Sequence, residues 1–318
     1  MQSNEKATSI LLNYNCKYSH FVLAYYNAAF SCHFFRDSSI YKNLSYPFII
    51  SGDLKRKGTK FVLRRPDLGV LVFYEILDST ISDYYSRFKF HIYKTNPETF
   101  SYIHLVEVRY INENQCDIRS SLVFDNKIFL SQKEIQETLR IKYMIYKQFE
   151  ISLRNYAIPK LAIAYAFINN KIELIWDILL NMKMIHKYVC LFAKSINYKG
   201  NIIKKNDIIE LFDYKDKKNL EIIKYNVKVN RCNLKSKDLM KEGIIELLFE
   251  KNKMVNNLPY MKTRIILRIY EYEGKCTIYL LYYFLYNQNM NFLANFTNKK
   301  IKDLEIFKNI IEQYRLII

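Results

Sequence analysis

An internal repeat is the feature that most limits what this chain can fold into. Residues 51–63 and 199–211 align when Gly52 is placed on Gly200, at an offset of 200 − 52 = 148. Three apolar pairs then coincide: Leu54 with Ile202, Phe61 with Ile209, and Leu63 with Leu211. Each segment has the pattern of a strand, a basic turn and a second strand. A sequence that repeats at a fixed offset predicts two copies of one structural unit.

A second correspondence lies nearer the end of each copy. Residues 106–124 and 266–284 each show a strand, a polar turn and a strand, and Cys116 falls on Cys276 at 276 − 116 = 160. Two aromatic pairs coincide at the same offset: Tyr110 with Tyr270, and Phe124 with Phe284. The offset grows by 160 − 148 = 12 between the two correspondences. We therefore predict a longer loop in the second copy, within the Lys-rich and Asn-rich stretch 230–241.

Each copy is predicted to end in a long helix. Ser131 and Glu134 have the spacing of a capping box. Apolar residues follow them at helical spacing: Ile135, Leu139, Tyr143, Tyr146, Phe149 and Leu153. In the second copy Thr297 is the predicted cap, and the apolar positions are Leu304, Phe307, Ile311, Tyr314 and Ile318. A strand and then a helix are predicted to begin each copy: strands 9–14 and 161–167, helices 19–35 and 171–189.

These elements predict the α+β class. In each copy a strand and a helix precede several strands that are joined by short turns, which favours antiparallel pairing. A curved antiparallel sheet wrapped around the long C-terminal helix buries the apolar faces of both. Pro159 disfavours continuation of the first long helix. We therefore place the two domains at residues 1–156 and 157–318.

A short segment of the second copy resembles a known superfamily. Residues 172–179, which contain the pair Trp176 and Asp177, are similar to the first helix of START-like proteins, also called SRPBCC or helix-grip proteins. The hairpin at Gly200 and the closing helix are similar too. The resemblance covers residues 160–318 directly and residues 8–155 through the repeat; the first copy lacks the Trp–Asp pair.

The resemblance implies a cavity between the sheet and the C-terminal helix of each copy. In relatives this cavity holds sterols, phospholipids, polyketides or plant hormones. Some relatives instead bind a heat-shock chaperone, and a few are enzymes. Both of the latter roles remain alternatives for this chain.

The formal charge of the chain is +18, which suggests an anionic partner. Lys, however, is spread along the whole sequence and accompanies many Ile, Asn, Tyr and Phe residues, as an AT-rich genome would encode. We therefore predict that the charge reflects composition and solubility. The aromatic residues follow strand periodicity rather than a base-stacking surface stripe, so a nucleic-acid partner is not expected.

The cysteines and the termini predict a reduced, cytoplasmic protein. The six cysteines form no C-x-x-C pair and have no zinc-site spacing with a His. Residues 1–8 are polar and lack the apolar core of a signal peptide. The longest apolar run, 278–286, is shorter than the about 20 residues that a membrane helix needs.

No sequence motif predicts catalysis, a metal or a cofactor. G-x-S-x-G, H-E-x-x-H, P-loop and dinucleotide patterns do not occur, so we predict a binding protein, with cyclase- or hydrolase-like activity as the weakest alternative. The residues predicted to line a ligand pocket are His104, Tyr102, Trp176, Tyr282, Phe284 and Phe307. His104 alternates with apolar residues on one strand face, where it either orients a ligand or is hydrogen-bonded within a core. Trp176 either lines the pocket mouth or packs between helix and sheet.

Two surfaces are predicted to meet partners. Basic turns recur at equivalent places, with Lys55, Arg56 and Lys57 in the first copy and Lys204 and Lys205 in the second. They either contact an anionic membrane, at about 1 kcal/mol per residue, or are solvated turns. The strand 278–285 is apolar on both faces, whereas a half-exposed antiparallel strand alternates. The outer face of the second sheet is therefore predicted to be covered, by the first domain or by a protein partner.

The leading functional hypothesis is intracellular binding of a lipid or another hydrophobic small molecule in the cavity between sheet and C-terminal helix, with transfer between membranes as an extension. The alternative is a protein-interaction or adaptor module with filled cavities, such as a chaperone partner. If only one copy keeps a pocket, the Trp–Asp pair favours the second copy.

Overall fold

The computed structural model contains two compact units, Met1–Ile158 and Pro159–Ile318. It describes residues 6–26, 45–54, 56–65, 70–94, 101–124, 131–155, 160–216, 221–235, 240–249 and 262–315. Both units are α+β, and each combines a seven-stranded antiparallel sheet with a long C-terminal helix. The fold class predicted from the sequence is therefore confirmed.

The first unit contains seven strands and two helices within the described residues: β1 (Lys6–Tyr14), α1 (Tyr18–Tyr26), β2 (Phe48–Ser51), β3 (Lys60–Arg65), β4 (Val70–Ile81), β5 (Tyr85–Lys94), β6 (Ser101–Asn112), β7 (Gln115–Phe124) and α2 (Gln132–Asn155). The second unit repeats this order: β8 (Leu161–Ile168), α3 (Ile172–Leu180), α4 (Met182–Tyr188), β9 (Ser195–Asn197), β10 (Ile208–Asp216), β11 (Glu221–Lys235), β12 (Lys241–Phe249), β13 (Lys262–Tyr272), β14 (Lys275–Phe284) and α5 (Met290–Arg315).

The strand order is the same in the two sheets. It is β1-β7-β6-β5-β4-β3-β2 in the first unit and β8-β14-β13-β12-β11-β10-β9 in the second. In the β6–β7 hairpin Asn112 pairs with Gln115, and in the β13–β14 hairpin Tyr272 pairs with Lys275. The two turns therefore correspond at the offset of 160 that the sequence indicates. The strands beyond the turns are paired one residue apart, since Tyr110 opposes Cys116 whereas Tyr270 opposes Thr277.

The closing helix of the second unit lies on its sheet. Leu304, Phe307 and Ile311 on α5 share one buried cluster with the inner face of β8, whose residues Ala162 and Ala164 are small. Small side chains on the strand let the helix approach it closely. The two first strands can be aligned by their pairing, since Tyr14 opposes Cys116 in the first unit and Ile168 opposes Cys276 in the second. In this alignment β1 has the larger residues Thr8 and Ile10 where β8 has Ala162 and Ala164.

The helical segment predicted at 171–189 is broken. Asn181 has extended backbone angles between α3 and α4, and its side chain accepts a hydrogen bond from the Lys183 N–H at 3.0 Å. The Asn side chain caps the second helix and so competes with continuation of the first. Of the segment predicted as a helix at 19–35, α1 covers Tyr18–Tyr26, and the remainder lies outside the described residues.

The predicted start of the last helix is also wrong. Thr297 lies inside α5, which begins at Met290. Asn289 precedes it, and its side-chain oxygen accepts from the Asn291 N–H at 2.8 Å while its backbone carbonyl accepts from Leu293. An Asn at the N-cap satisfies an otherwise unbonded N–H in this way.

The longer loop of the second copy does not lie wholly where it was predicted. Residues 230–235 belong to β11. The connection 250–261 between β12 and β13 is twice as long as the connection 95–100 between β5 and β6. The extra length is therefore spread over several parts of the second unit.

Candidate functional site in the first unit

His104 lies inside the first unit, between the sheet and the closing helix. Along β6 the residues Tyr102, His104, Val106 and Val108 are buried, and the residues between them are more exposed. The His104 side chain is 5% exposed. Its Nε2 lies 2.9 Å from the hydroxyl of Ser120 on β7 and 3.2 Å from the hydroxyl of Tyr146 on α2. The imidazole therefore joins two strands and the closing helix.

The hydrogen-bonded groups continue from Tyr146 to the first helix. The Tyr146 hydroxyl lies 3.2 Å from the hydroxyl of Tyr25 on α1, and the Tyr14 hydroxyl donates to the Tyr146 backbone carbonyl. We call Ser120, His104, Tyr146 and Tyr25 the polar layer. Aromatic rings surround it: Phe88, Phe90 and Phe149 all lie within 6.2 Å of the Tyr25 ring, centroid to centroid.

Burial favours the uncharged form of His104, the one group of the polar layer that ordinarily titrates near neutral pH. It lowers the pKa of His104 well below its usual value, and Lys142 lowers that pKa further. Burial raises the pKa of Tyr25 well above its usual value, and the neighbouring Tyr146 adds to the shift. A neutral imidazole has one N–H donor and one acceptor nitrogen. The layer is thus suited to hydrogen-bond a neutral polar group rather than an ion.

An apolar cluster lies beside the polar layer on the same sheet face. Its buried members are Val72, Ile92, Tyr102, Leu122 and Phe124, and Val70, Tyr74 and Phe90 pack against them while remaining partly exposed. Ile92 pairs with Tyr102, and Tyr102 pairs with Phe124, so the cluster crosses three adjacent strands. The Lys142 ammonium of α2 lies 5.9 Å from the centre of the Tyr102 ring.

The inner face of the first unit is not fully covered near this cluster. Ile10 on β1, Tyr74 on β4 and Phe90 on β5 face inward and are only partly buried. Leu139 on α2 is partly exposed as well, and Tyr143, which the helical spacing placed on the apolar face, is 46% exposed. The first half of α2 therefore leaves apolar surface of the sheet accessible.

In the second unit, unlike the first, side chains fill the space between the sheet and the closing helix, and we call this the closed interior. Tyr282, Leu304 and Phe307 are 0% exposed and belong to one continuous buried cluster. Phe296 of α5 packs on Tyr282 at 4.9 Å and on Phe284 at 5.3 Å between ring centres. The described residues of this unit fill the space between sheet and helix with side chains.

Three consecutive backbone carbonyls fasten that closed interior. The Lys300 ammonium on α5 donates to the Cys190 carbonyl, the Tyr282 hydroxyl donates to the Leu191 carbonyl, and the Lys262 ammonium donates to the Phe192 carbonyl at 3.0 Å. Two carboxylates balance the buried ammonium groups: Asp303 lies 2.9 Å from Lys300, and Asp213 lies 2.6 Å from Lys262. Burial, followed by the charge of Lys262, lowers the pKa of Lys300. The turn after α4 is thereby tied to β13, β14 and α5.

The predicted pocket residues fall into two separate groups. Tyr102 and His104 lie in the first unit, whereas Trp176, Tyr282, Phe284 and Phe307 belong to the buried cluster of the second. Trp176 packs over β12, where a Cβ added to Gly243 would come within 2.8 Å of its ring. Their role as ligand contacts stays a prediction.

The sequence interpretation did not recognise Ser120, Tyr25 and Tyr146 as polar partners of His104. Ser120 could have been found, since it is a polar residue at an inward position of a strand that otherwise buries apolar residues on that face. In the helical pattern Tyr146 counts only as an apolar position. Its hydroxyl group carries no separate signal in a hydrophobic pattern.

The predicted contact surfaces are placed as follows. Arg56, Lys57, Lys204 and Lys205 are exposed, and Lys55 lies outside the described residues. Their contact with a membrane stays a prediction. Both faces of β14 are buried, because the outward residues Thr277, Tyr279 and Leu281 are 0% exposed. A protein partner on that face also stays a prediction.

A groove with a volume of about 320 Å³ lies on the outer face of the first sheet. It is lined by Ser9, Leu11, Glu107, Arg109, Asp117 and Arg119. Two arginines and two carboxylates balance in charge, so the groove is not suited to an anion. Among the described residues no group of three or more His, Cys, Asp or Glu could hold a metal ion. None of the helices in the described ranges is long and apolar enough to cross a membrane.

Each unit thus has the strand order and closing helix of a helix-grip domain. No family model and no curated protein matches the chain. Similar solved structures include Ara h 8.0201, with 11% identity and a TM-score of 0.40, covering 48% of this chain and 100% of that one. Norcoclaurine synthase from Thalictrum flavum has 10% identity and a TM-score of 0.36, covering 49% of this chain and 98% of its own. The di-domain ARO/CYC protein BexL has 8% identity and a TM-score of 0.37, covering 96% of this chain and 98% of its own. At these values no ligand or activity is transferred to this chain.

Proposed function

We propose that the first unit binds a hydrophobic small molecule or lipid between its sheet and α2. The observation that carries the proposal is the partly exposed apolar inner face at Ile10, Tyr74 and Phe90, beside the buried polar layer. Ligand sites are typically apolar concavities with a few polar groups that fix orientation. The first unit offers both parts.

The apolar surface would supply most of the affinity. Burial contributes about 25 cal/mol for each Å² removed from water, before the cost of association is subtracted. A hydroxyl or carbonyl group of the ligand would form a hydrogen bond within the polar layer. There it would meet the uncharged imidazole of His104 and the hydroxyl group of Tyr146. Such a bond contributes less energy than the apolar burial but selects one orientation of the ligand.

The second unit is proposed to act as a structural or protein-interaction module. The specific observation is its filled interior, in which Leu304, Phe307 and Ile311 are fully buried. The three bonded carbonyls at 190–192 hold that interior closed. The proposal thus assigns the ligand to the first unit, although the Trp–Asp pair of the second unit favoured the opposite order.

The test is native mass spectrometry of the intact chain purified from a eukaryotic host, followed by organic extraction and identification of the extracted molecules. We expect a stoichiometric apolar molecule bound to the protein. The variant Ile10→Trp should displace it, because an indole would occupy the partly exposed inner face. Tyr146→Phe should weaken its retention by removing one hydroxyl from the polar layer.

Tyr188→Phe is the matched control. It removes a buried hydroxyl from the second unit, where Tyr188 donates to the carbonyls of Ile178 and Leu179. This variant should keep the bound molecule. A clean apo mass together with no uptake from a lipid library would overturn the carrier proposal. Loss of the molecule from Tyr188→Phe alone would move the site to the second unit.

Transfer between membranes is an extension of the same proposal. The exposed pairs Arg56–Lys57 and Lys204–Lys205 would touch an anionic surface, and such attraction weakens as salt rises. Cosedimentation with phosphatidylserine vesicles should fall at high salt and in a variant that carries Arg56→Glu and Lys57→Glu. If the protein does not sediment with the vesicles, or does so independently of salt, the proposed transfer between membranes is overturned, while the proposed binding of a ligand is unaffected.

A further inference from the structure

Two buried thiols of the first unit lie next to each other. The Sγ atoms of Cys16 and Cys116 are 3.9 Å apart, although the residues are separated by 100 positions in the sequence. Cys116 lies near the start of β7, directly opposite Tyr14 of β1. Cys16 lies two residues after Tyr14, in the bend between β1 and α1. Cys16 is 8% exposed and Cys116 is 0% exposed.

This pair is specific to the first unit. Cys276 occupies the position of Cys116 in the second unit, since it opposes Ile168 as Cys116 opposes Tyr14. Two residues after Ile168 the chain carries Asn170, so no second thiol is present at the place of Cys16. The two units thus provide an internal comparison between a paired and an unpaired thiol on the same strand.

We propose that Cys16 and Cys116 form an oxidation-sensitive site, which closes to a disulfide when the protein meets a peroxide. In the first step the Cys16 sulfur attacks one oxygen of hydrogen peroxide, the O–O bond breaks, and a sulfenic acid and one water form. In the second step the Cys116 sulfur attacks the sulfenic sulfur, an S–S bond forms, and a second water leaves with the thiol proton. Two thiols and one peroxide give one disulfide and two waters.

The surroundings of the pair decide which sulfur reacts first. Cys16 is the more exposed of the two and lies outside the strand, so an oxidant can reach it with less disturbance. The hydrogen bond to Cys16, followed by burial, raises the pKa of Cys116, so this thiol is slow to attack peroxide itself. Cys116 acts as the resolving partner because its sulfur already lies 3.9 Å from that of Cys16 and can pass its proton to the departing water as it attacks.

The closing movement is small. The sulfur atoms must approach from 3.9 Å to a bond length of about 2.0 Å. Cys16 sits in a bend and not in a paired strand, so its backbone can shift without breaking ladder hydrogen bonds. The Asn15 N–H in the same bend donates to the Glu150 carboxylate of α2 at 3.0 Å. The disulfide would thus fix the turn that also holds the closing helix.

The test is graded treatment of the full-length protein with hydrogen peroxide, followed by alkylation of free thiols and peptide mapping without reduction. We expect one linked peptide that joins residues 16 and 116, with a mass lower by two hydrogens, and reversal by dithiothreitol. The link should appear before Cys190 and Cys232 react, although these two side chains are more exposed. The thermal midpoint of the oxidised protein should rise by several degrees, because the link closes a long loop of the unfolded chain.

Three variants complete the test. Cys16→Ser and Cys116→Ser should each abolish the linked peptide and the rise of the midpoint, while Cys276→Ser should change neither. Modification of Cys190 or Cys232 without the 16–116 link would overturn the proposal, as would a link that forms only after unfolding. The outcome does not depend on whether the first unit binds a ligand, since the readout is covalent.

Discussion

The hydroxyl group of Tyr146 lies 3.2 Å from Nε2 of His104, so the closing helix and the sheet of the first unit are joined by a polar contact inside an aromatic interior. The same hydroxyl lies 3.2 Å from that of Tyr25, which adds α1 to the contact. Buried hydrogen bonds of this kind specify one packing arrangement, because a buried group that loses a partner costs free energy. Three separate elements therefore depend on one side-chain oxygen.

Replacing Tyr146 with Phe should lower the free energy of unfolding by about 1–3 kcal/mol, because His104 and Tyr25 each lose a partner while the ring is kept. Urea denaturation measures this as a lower midpoint with an unchanged slope. Tyr143→Phe is the control, since Tyr143 lies on the same helix but is 46% exposed. Equal effects of the two changes would show that the polar layer contributes nothing to stability.

The stability of the protein should fall as the pH drops below about 6.5, the pKa of an unperturbed His. Burial holds the pKa of folded His104 well below that value, so the unfolded chain binds a proton that the folded chain does not. Unfolding is then favoured by acid, by about 1.4 kcal/mol per pH unit for one such group. The effect ends below the lowered pKa, where both states are protonated.

The pH effect is measured by urea midpoints at several pH values between neutral and mildly acidic. His20 adds to the slope in the same direction, because burial lowers its pKa too. His104→Gln, which cannot titrate, should therefore reduce the slope without abolishing it. An unchanged slope in this variant would mean that His104 is accessible to protons in the folded state.

The sequence predicts the strands and the turns that join them better than it predicts their register. The two-residue turns of the β6–β7 and β13–β14 hairpins coincide at the offset of 160. An irregularity between Tyr110 and Asn112 shifts the pairing of the first hairpin by one residue relative to the second, and no residue pattern indicates it. In the second hairpin Glu273 and Gly274 have the positive φ angles that such a turn requires. The helix boundaries are harder to predict from the sequence. Asn181 and Asn289 each start a helix through a single side-chain hydrogen bond, and this leaves the apolar spacing intact.

The contrast between the two interiors was not predicted, although part of its signal is in the sequence. Ala162, Ala164 and Ala166 line the inner face of β8, where β1 has larger residues. This difference lets α5 pack directly on its strand. The Trp–Asp pair favours the second unit as the ligand-binding copy, whereas in the structure the Trp176 ring lies against Gly243. Whether side chains fill the space between sheet and closing helix depends on the side-chain volumes of several elements together. The hydrophobic pattern of a single element does not give those volumes.

Gly243→Ala should destabilise the second unit. The new methyl group would lie 2.8 Å and 2.9 Å from two carbons of the Trp176 ring, which is closer than packed side chains tolerate. Overpacking of this kind costs about 1–3 kcal/mol, more than the about 0.5–1 kcal/mol that replacing a strand Gly with Ala would otherwise return. Because Trp176 is the single tryptophan of the chain, its fluorescence reports unfolding of this unit directly.

A double variant tests the cause of that effect. Adding Trp176→Leu to Gly243→Ala makes room for the methyl group, so the cost of the glycine change should be smaller in the Trp176→Leu background than in the natural one. This comparison is followed by circular dichroism, since the fluorescent side chain is lost. An equal cost in both backgrounds would place the strain elsewhere than at the Trp176 ring.

Lys300→Met should destabilise the second unit by about 3–5 kcal/mol, the usual effect of removing one partner from a buried ion pair. The side chains of Lys300 and Asp303 are 8% and 11% exposed, and the ammonium also donates to the Cys190 carbonyl. Methionine fills the volume but leaves a carboxylate and a carbonyl without that donor. The unfolding midpoint of the Trp176 fluorescence measures the loss.

The double variant Lys300→Met with Asp303→Leu separates the charge from the packing. It removes the buried carboxylate together with its partner, so it should recover a large part of the stability that the single change loses. Recovery should remain incomplete, because the Cys190 carbonyl still lacks the Lys300 donor. If the double variant is as unstable as Lys300→Met, the tie between α5 and the 190–192 turn matters more than the ion pair. If Lys300→Met itself is neutral, the ammonium does not fasten the closed interior, and the structural role proposed for this unit rests on the packing of its apolar side chains alone.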